Sequence, residues 1–145
     1  MVNNSTYNCI IIDDDEIDRL TAVSFLKRYP FLNSSGVYSS ANEAFEAIKE
    51  IEIDVLFTDI DMPEISGIVF RSKMRHIPIC IFITSYPEYA AESFEVDAFD
   101  FLVKPIRSER FAQSMERVQN FFEIKQKAEL FEHSLGGNTV FIKDG

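Results

Sequence analysis

Short apolar runs alternate with amphipathic stretches along the whole chain, and this alternation limits the fold more than any other feature of the sequence. Residues 9–12, 37–39, 55–58, 79–83 and 99–103 read as strands. The third and fourth are almost wholly apolar, as parallel strands covered on both faces must be. Between them, apolar residues recur at helical spacing. Residues 16–28 form a predicted helix with Leu20, Val23 and Leu26 inward, stopped by Tyr29-Pro30. Residues 42–51 form a second, with Ala44, Phe45, Ala47, Ile48 and Ile51 on the inner face and Asn42 as N-cap. Shorter helices are expected over 68–74 and 87–94, and a long one from Arg107 carries Phe111, Met115, Val118 and Phe122 at steps of four and three. Parallel strands need helical crossovers, so the pattern predicts a doubly wound α/β fold, a five-stranded parallel sheet with helices on both faces.

Composition excludes several classes of function. With 46% hydrophobic residues, the 145-residue chain can bury the core of one domain. No apolar run approaches the ~20 residues that span a bilayer. A formal net charge of -10 speaks against duplex binding by this chain, because such affinity comes largely from Lys and Arg neutralising phosphates. Cations and basic surfaces are the expected company. The first eight residues carry neither a basic stretch nor an apolar core, so no secretory signal is read there and a cytoplasmic location is expected. Cys9 and Cys80 lie inside apolar runs and are expected to be reduced, buried hydrophobes. His76 and His133 lie in polar surroundings and are expected on the surface.

Four of the runs end in residues able to do chemistry. Residues 10–12 lead into Asp13 and Asp14, residues 55–57 into Thr58-Asp59-Ile60-Asp61-Met62-Pro63, residues 79–83 into Thr84, and residues 101–103 into Lys104-Pro105. In a parallel sheet the carboxyl ends of the strands share one edge, and ligands sit where the strand order reverses. For the order 2-1-3-4-5 that point lies between the first and third strands, which brings Asp13 and Asp14 opposite Asp59. Crowded carboxylates repel, and a hard divalent cation with oxygen ligands, Mg2+ above all, relieves them. Each residue also has a blander role open to it. Asp13 to Asp18 suits a helix N-terminus, Thr84 a strand-end hydroxyl bonded to backbone, and Lys104 a solvated strand end.

Asp13-Asp14, then Asp59 with Asp61, Met62, Pro63 and Gly67, then Thr84-Ser85, then Phe101 to Lys104-Pro105 together make the chain resemble the receiver domain of a two-component response regulator, over about residues 7–122. The resemblance implies a flavodoxin-like sheet of order 2-1-3-4-5 and no enzymatic turnover. It implies that Asp59 is the phosphoacceptor, taking a phosphoryl group from a phosphohistidine on a sensor histidine kinase. Asp14 and Asp59 then bind Mg2+ directly, with the backbone carbonyl of Asp61, and Asp13 acts through water. Lys104 and the Thr84 hydroxyl take phosphoryl oxygens, and Phe101 matches the switch aromatic that turns inward as Thr84 moves. A cis Lys104-Pro105 peptide is implied as well. The signal is expected to reach the face built from the fourth helix, fifth strand and fifth helix.

Three positions depart from the family pattern. Phe101 stands where tyrosine is common and lacks the phenolic hydroxyl, Ser85 stands where alanine is frequent, and Asp61 adds a carboxylate two residues after the acceptor. Residues 90–105 most resemble receivers of LytTR-class transcription regulators, and Phe141-Ile142-Lys143-Asp144-Gly145 is similar to the opening strand of that class's DNA-binding domain. The expected organisation is a disordered N-terminus over 1–6, a receiver domain over 7–125, a helix extension and linker over 126–137, and the start of a truncated LytTR-like DNA-binding domain over 138–145. DNA is then reached only through the missing domain, and no membrane contact is expected. Phe121, Ile124, Ala128 and Phe131 are left for a partner, and a homodimer is expected on phosphorylation. Two rivals share parts of the pattern. A haloacid-dehalogenase-type phosphatase also carries an Asp-x-Asp nucleophile after an apolar strand, but its magnesium acids follow that motif, whereas here the acidic pair precedes it. A receiver-like interaction module that is never phosphorylated keeps the fold, but here every site residue type is present.

Overall fold

The computed structural model describes residues 5–134. Strands β1 (Tyr7–Ile12), β2 (Leu32–Tyr38), β3 (Val55–Thr58), β4 (Ile79–Thr84) and β5 (Asp100–Val103) alternate with helices α1 (Glu16–Leu26), α2 (Ala41–Ala47), α3 (Gly67–Lys73), α4 (Ala90–Phe94) and α5 (Ser108–Ser134). Every pairing is parallel, and the sheet runs β2-β1-β3-β4-β5, the expected order.

Side chains alternate between the two faces of a strand, so each central strand feeds two cores. Cys9, Ile11, Phe57, Ile81 and Ile83 join Phe25 of α1 and Phe111, Met115, Val118 and Phe122 of α5 on one face. Ile10, Ile12, Leu56, Cys80 and Phe82 join Ala44 of α2, Phe70 of α3 and Val96 after α4 on the other. This is why the runs are apolar at successive positions rather than at alternate ones. Each fully buried Ile or Phe contributes ~1.5–3 kcal/mol, so the sheet is a stiff platform for whatever its edge carries.

Several element boundaries depart from the sequence-based expectation for identifiable reasons. In α1 the buried residues are Ala22, Phe25 and Leu26, while Leu20 is 63% exposed. Position 20 lies two residues before 22 and so points to nearly the opposite side of the helix. Helix α2 starts one residue earlier than expected because Ser40, not Asn42, is its N-cap, accepting from the Glu43 amide. Glu43 in turn accepts from the Ser39 amide, a reciprocal arrangement that fixes the start of the helix. The helix ends at Ala47, leaving Ala47 and Ile51 exposed rather than inward. Strand β2 is longer than 37–39 and begins at Leu32; its polar Asn33 and Ser34 are tolerated because it is an edge strand, irregular opposite Cys9 and Ile10. Pro87 opens a 3-10 turn, Pro87–Tyr89, before α4, and the left-handed Asp97 (φ 62) follows the helix.

Helix α5 runs unbroken from Ser108 to Ser134, through the boundary expected at 125. Ser5 accepts a hydrogen bond from Gln126 at 3.2 Å, and Tyr7 stacks on Phe122, so β1 and the residue two before it are tied to this helix. The domain start expected over 138–145, and residues 1–4 of the expected disordered N-terminus, lie outside the described residues. Among the described residues, no helix is long and apolar enough to cross a membrane. Cys9 and Cys80 are buried free thiols, and His76 is exposed; the side chain of His133 lies outside the described residues.

Candidate functional site at the carboxyl edge of the sheet

The acidic loop after β1 turns directly into α1. The Asp13 carboxylate accepts from the Asp15 amide at 2.9 Å, and the Asp15 side chain accepts from the Asp18 amide at 2.9 Å as the N-cap. Arg19 donates to the Asp13 carbonyl at 2.7 Å. The two readings of this acidic stretch therefore divide its residues: Asp15 caps the helix, while Asp13 and Asp14 remain for the cleft.

Strand β3 delivers Asp59 beside them. Its amide donates to the Ile12 carbonyl at 2.9 Å, so the β1–β3 register sets the acids side by side. Gly67 makes the following loop possible, because a Cβ there would overlap the Asp59 carbonyl oxygen. Its own amide donates to the Ile60 carbonyl at 2.9 Å. Oxygen atoms of Asp13, Asp14 and Asp59 all lie within 4.8 Å of one another, Asp13 and Asp59 buried and Asp14 exposed.

Lys104, at the end of β5 and before a cis peptide to Pro105, reaches into this cluster. Its ammonium donates to Asp18 at 2.6 Å, to Asp13 at 2.9 Å and to Asp59 at 3.4 Å. Burial pushes the Asp59 carboxyl up to about 6; Lys104 opposes the rise and Asp13 adds to it. Asp13 is raised too, by burial above all, despite its bonds to the Asp15 amide and Lys104. Burial pulls the Lys104 ammonium down, but hydrogen bonds to Asp18 and Asp13 outweigh it and hold the group above its ordinary value. One ammonium thus serves three carboxylates, with Asp14 beside them, so acids outnumber it in the cleft. Carboxylate oxygens at this spacing fit a hard divalent cation such as Mg2+.

The remaining expected residues lie around this core. Thr84 ends β4 fully buried; its hydroxyl accepts from the Tyr86 amide at 3.2 Å, and its carbonyl accepts from the Lys104 amide at 2.8 Å. Phe101 sits in β5 opposite Phe82, half-buried against the α2–α3–α4 core layer. Asp61 is exposed, and its charge is the main influence raising the Tyr89 phenol. Ser85 is exposed.

Some residues that shape the site region were not singled out from the sequence. Asp18 belongs to the acidic stretch, but its reach to Lys104 depends on how α1 is rotated. Arg71 is 2% exposed and donates to the carbonyls of Ile77 (2.7 Å), Met74 (3.0 Å), Val96 (3.0 Å) and Asp97 (3.1 Å), pinning the end of α4 to α3. Asp100 is buried and paired with Arg110 at 2.7 Å; burial raises its carboxyl, but Arg110 and the Phe101 amide win and hold it below the usual range. A buried-strand aspartate and a lone arginine in an apolar helix were the available signals.

Comparisons with known proteins agree with this geometry. The chain is 35% identical over 113 residues to an uncharacterized response regulatory protein of Vibrio cholerae, covering 77% of this chain and 48% of that one. It is 36% identical over 112 residues to the transcriptional regulatory protein BtsR of Escherichia coli K12, covering 76% of this chain and 47% of the relative. The chain therefore spans about half the length of the curated relatives it matches. In fold it is similar to the response regulatory domain of protein mrkE from Klebsiella pneumoniae, with a TM-score of 0.75 at 23% identity, over 80% of this chain and 98% of that one. It is likewise similar to the isolated receiver domain of RcsB from Salmonella enterica serovar Typhimurium, with a TM-score of 0.72 at 21% identity, over 80% and 90% of the two chains. The sequence model described as response regulator receiver domain matches residues 9–116, from β1 into α5, and the chain belongs to that family.

Proposed function

We propose that this chain is a phosphorylation switch in which Asp59 is the phosphoacceptor. The observation that carries the reading is the meeting of Asp13, Asp14 and Asp59 within 4.8 Å, with the Lys104 ammonium bonded into the same cluster. An Asp59 carboxylate oxygen attacks the phosphorus of a phosphohistidine on a sensor histidine kinase. A phosphorus–oxygen bond forms, the phosphorus–nitrogen bond breaks, and its electron pair stays on the imidazole, leaving an acyl phosphate on Asp59. Mg2+, when bound, offsets the charge of the transferring phosphoryl group. Asp14, Asp59 and the Asp61 carbonyl would hold it, and Asp13 would act through water. Lys104 donates to one phosphoryl oxygen. The Thr84 hydroxyl turns from the Tyr86 amide to donate to another, and Phe101 follows it inward, shifting a two-state equilibrium on the α4–β5–α5 face.

The output is proposed to be transcriptional. BtsR is named a transcriptional regulatory protein, and this chain spans about half of it. We read residues 7–125 as the receiver, 126–137 as helix extension and linker, and 138–145 as the opening of a LytTR-like DNA-binding domain, on the strength of the Phe141 to Gly145 segment. Phosphorylation then favours a homodimer that presents such domains in pairs.

The test is incubation with a small acyl phosphate donor and Mg2+. The reading predicts a stoichiometric, Mg2+-dependent adduct that is lost in Asp59→Asn. Turnover of many phosphoesters would instead identify a phosphatase of the Asp-x-Asp type. An absence of any Mg2+-dependent response would identify an interaction module that is never phosphorylated.

A further inference from the structure

Asp18 is not among the acids that the receiver pattern implies, yet it is the carboxylate nearest to Lys104. The separation is 2.6 Å, against 2.9 Å to Asp13 and 3.4 Å to Asp59. An ammonium has three N–H donors and no acceptor, so three carboxylates occupy it fully. Phosphorylation frees the donor spent on Asp59, the longest of the three contacts, but Asp18 and Asp13 still hold the ammonium, which must move toward the phosphoryl oxygen against that hold.

We propose that Asp18 is a positioning residue that holds the Lys104 ammonium on the α1 side of the cleft in the resting protein and competes with phosphoryl oxygens for it, lowering the affinity of the site for a phosphoryl group. The backbone of Asp18 is fixed by its bond to the N-cap Asp15, so its carboxylate stays with α1 when the lysine moves. A cavity of about 140 Å³ runs along the cleft, lined by Asp13, Asp18, Thr21, Asp59, Lys104 and Ile106 among others, and it gives the lysine stem room to shift between the α1 side and Asp59. The hold is breakable: the Asp18 side chain is 37% exposed, against 7% for Asp13 and 9% for Asp59, so water replaces the lost bond at Asp18 at little cost. This inference rests on the phosphorylation reading of the same site and adds what restrains its lysine.

The experiment is titration of the protein with beryllofluoride at saturating Mg2+, followed by fluorine NMR, for wild type, Asp18→Asn and Glu16→Gln. Glu16 stands in the same first turn of α1, is exposed, and is not among the hydrogen-bond or ion-pair partners of Lys104, which are Asp13, Asp18 and Asp59. Asp18→Asn is expected to bind about three- to fivefold more tightly than wild type, the range of a partly exposed ion pair, with Mg2+ affinity unchanged. Glu16→Gln is expected to match wild type. Equal affinities of Asp18→Asn and wild type overturn the inference alone. So does an equal gain in Glu16→Gln, which would make the effect one of bulk charge. Failure of wild type to bind overturns the phosphorylation reading, and this inference with it.

Discussion

Asp59 sits where the protein opposes its charge. Burial raises its carboxyl to about 6, above the ~3.9 of an unfolded aspartate. Between those values the native state binds more protons than the unfolded one, so this residue's contribution to stability falls as pH rises from about 4 to 6 and stays lost above it. In metal-free protein, Asp59→Asn is therefore expected to match wild type near pH 4 and to exceed it by about 2 kcal/mol at pH 7, read by urea unfolding in chelator. A variant less stable than wild type at pH 7 would contradict that account. The thiols of Cys9 and Cys80 are pushed up to about 12, above all by burial. Neither is expected to react with a disulfide reagent at pH 8 in native protein, and both are expected to react once it is unfolded. Asp13, Asp59 and Lys104 were legible in the sequence because a polar residue that ends a buried apolar run must stand at the sheet edge. Asp18 was not, because its contact with Lys104 follows from the rotation of α1, and the apolar spacing had placed Leu20 on the inner side of that helix.

Among the elements, the loops that join β3 to α3 and α4 to β5 depend on single residues. Gly67→Ala forces a methyl group onto the Asp59 carbonyl, so α3 must move away from the site. It is expected to cost about 1–3 kcal/mol in urea unfolding and to weaken beryllofluoride binding, because the displaced backbone carries the acceptor. Arg71→Met removes the donors that satisfy two carbonyls after α4, Val96 and Asp97, and two after α3, Met74 and Ile77. An expected loss of ~3 kcal/mol or more should come with faster amide exchange over residues 94–99, while exchange in β1 and β3 tracks global stability only. The strands were legible because their two-sided burial leaves continuous apolar runs. Edge strand β2 was only partly legible, since its Asn33 and Ser34 carry no apolar signal. The start of α2 was misplaced because Ser40 and Glu43 form a cap that outweighs Asn42.

At the scale of the whole molecule, the β2-β1-β3-β4-β5 order brings residues 13, 14, 59 and 104 together from strands far apart in sequence. That convergence was predictable once the runs were taken as parallel. The rest of the molecule's role was less so: α5 extends to Ser134 with Ile124 and Leu130 exposed, and an exposed stripe does not by itself say what covers it. The carboxylate excess of the cleft fits the Mg2+ of the proposed function. The proposed function stands on Asp59 accepting a phosphoryl group in this cleft. The most direct measurement is to treat the protein with acetyl phosphate and Mg2+, trap the product with borohydride, and map the modified residue by mass spectrometry. Reduction confined to Asp59, and absent without Mg2+, is the predicted result; an unmodified Asp59, or modification at another carboxylate, would contradict the account.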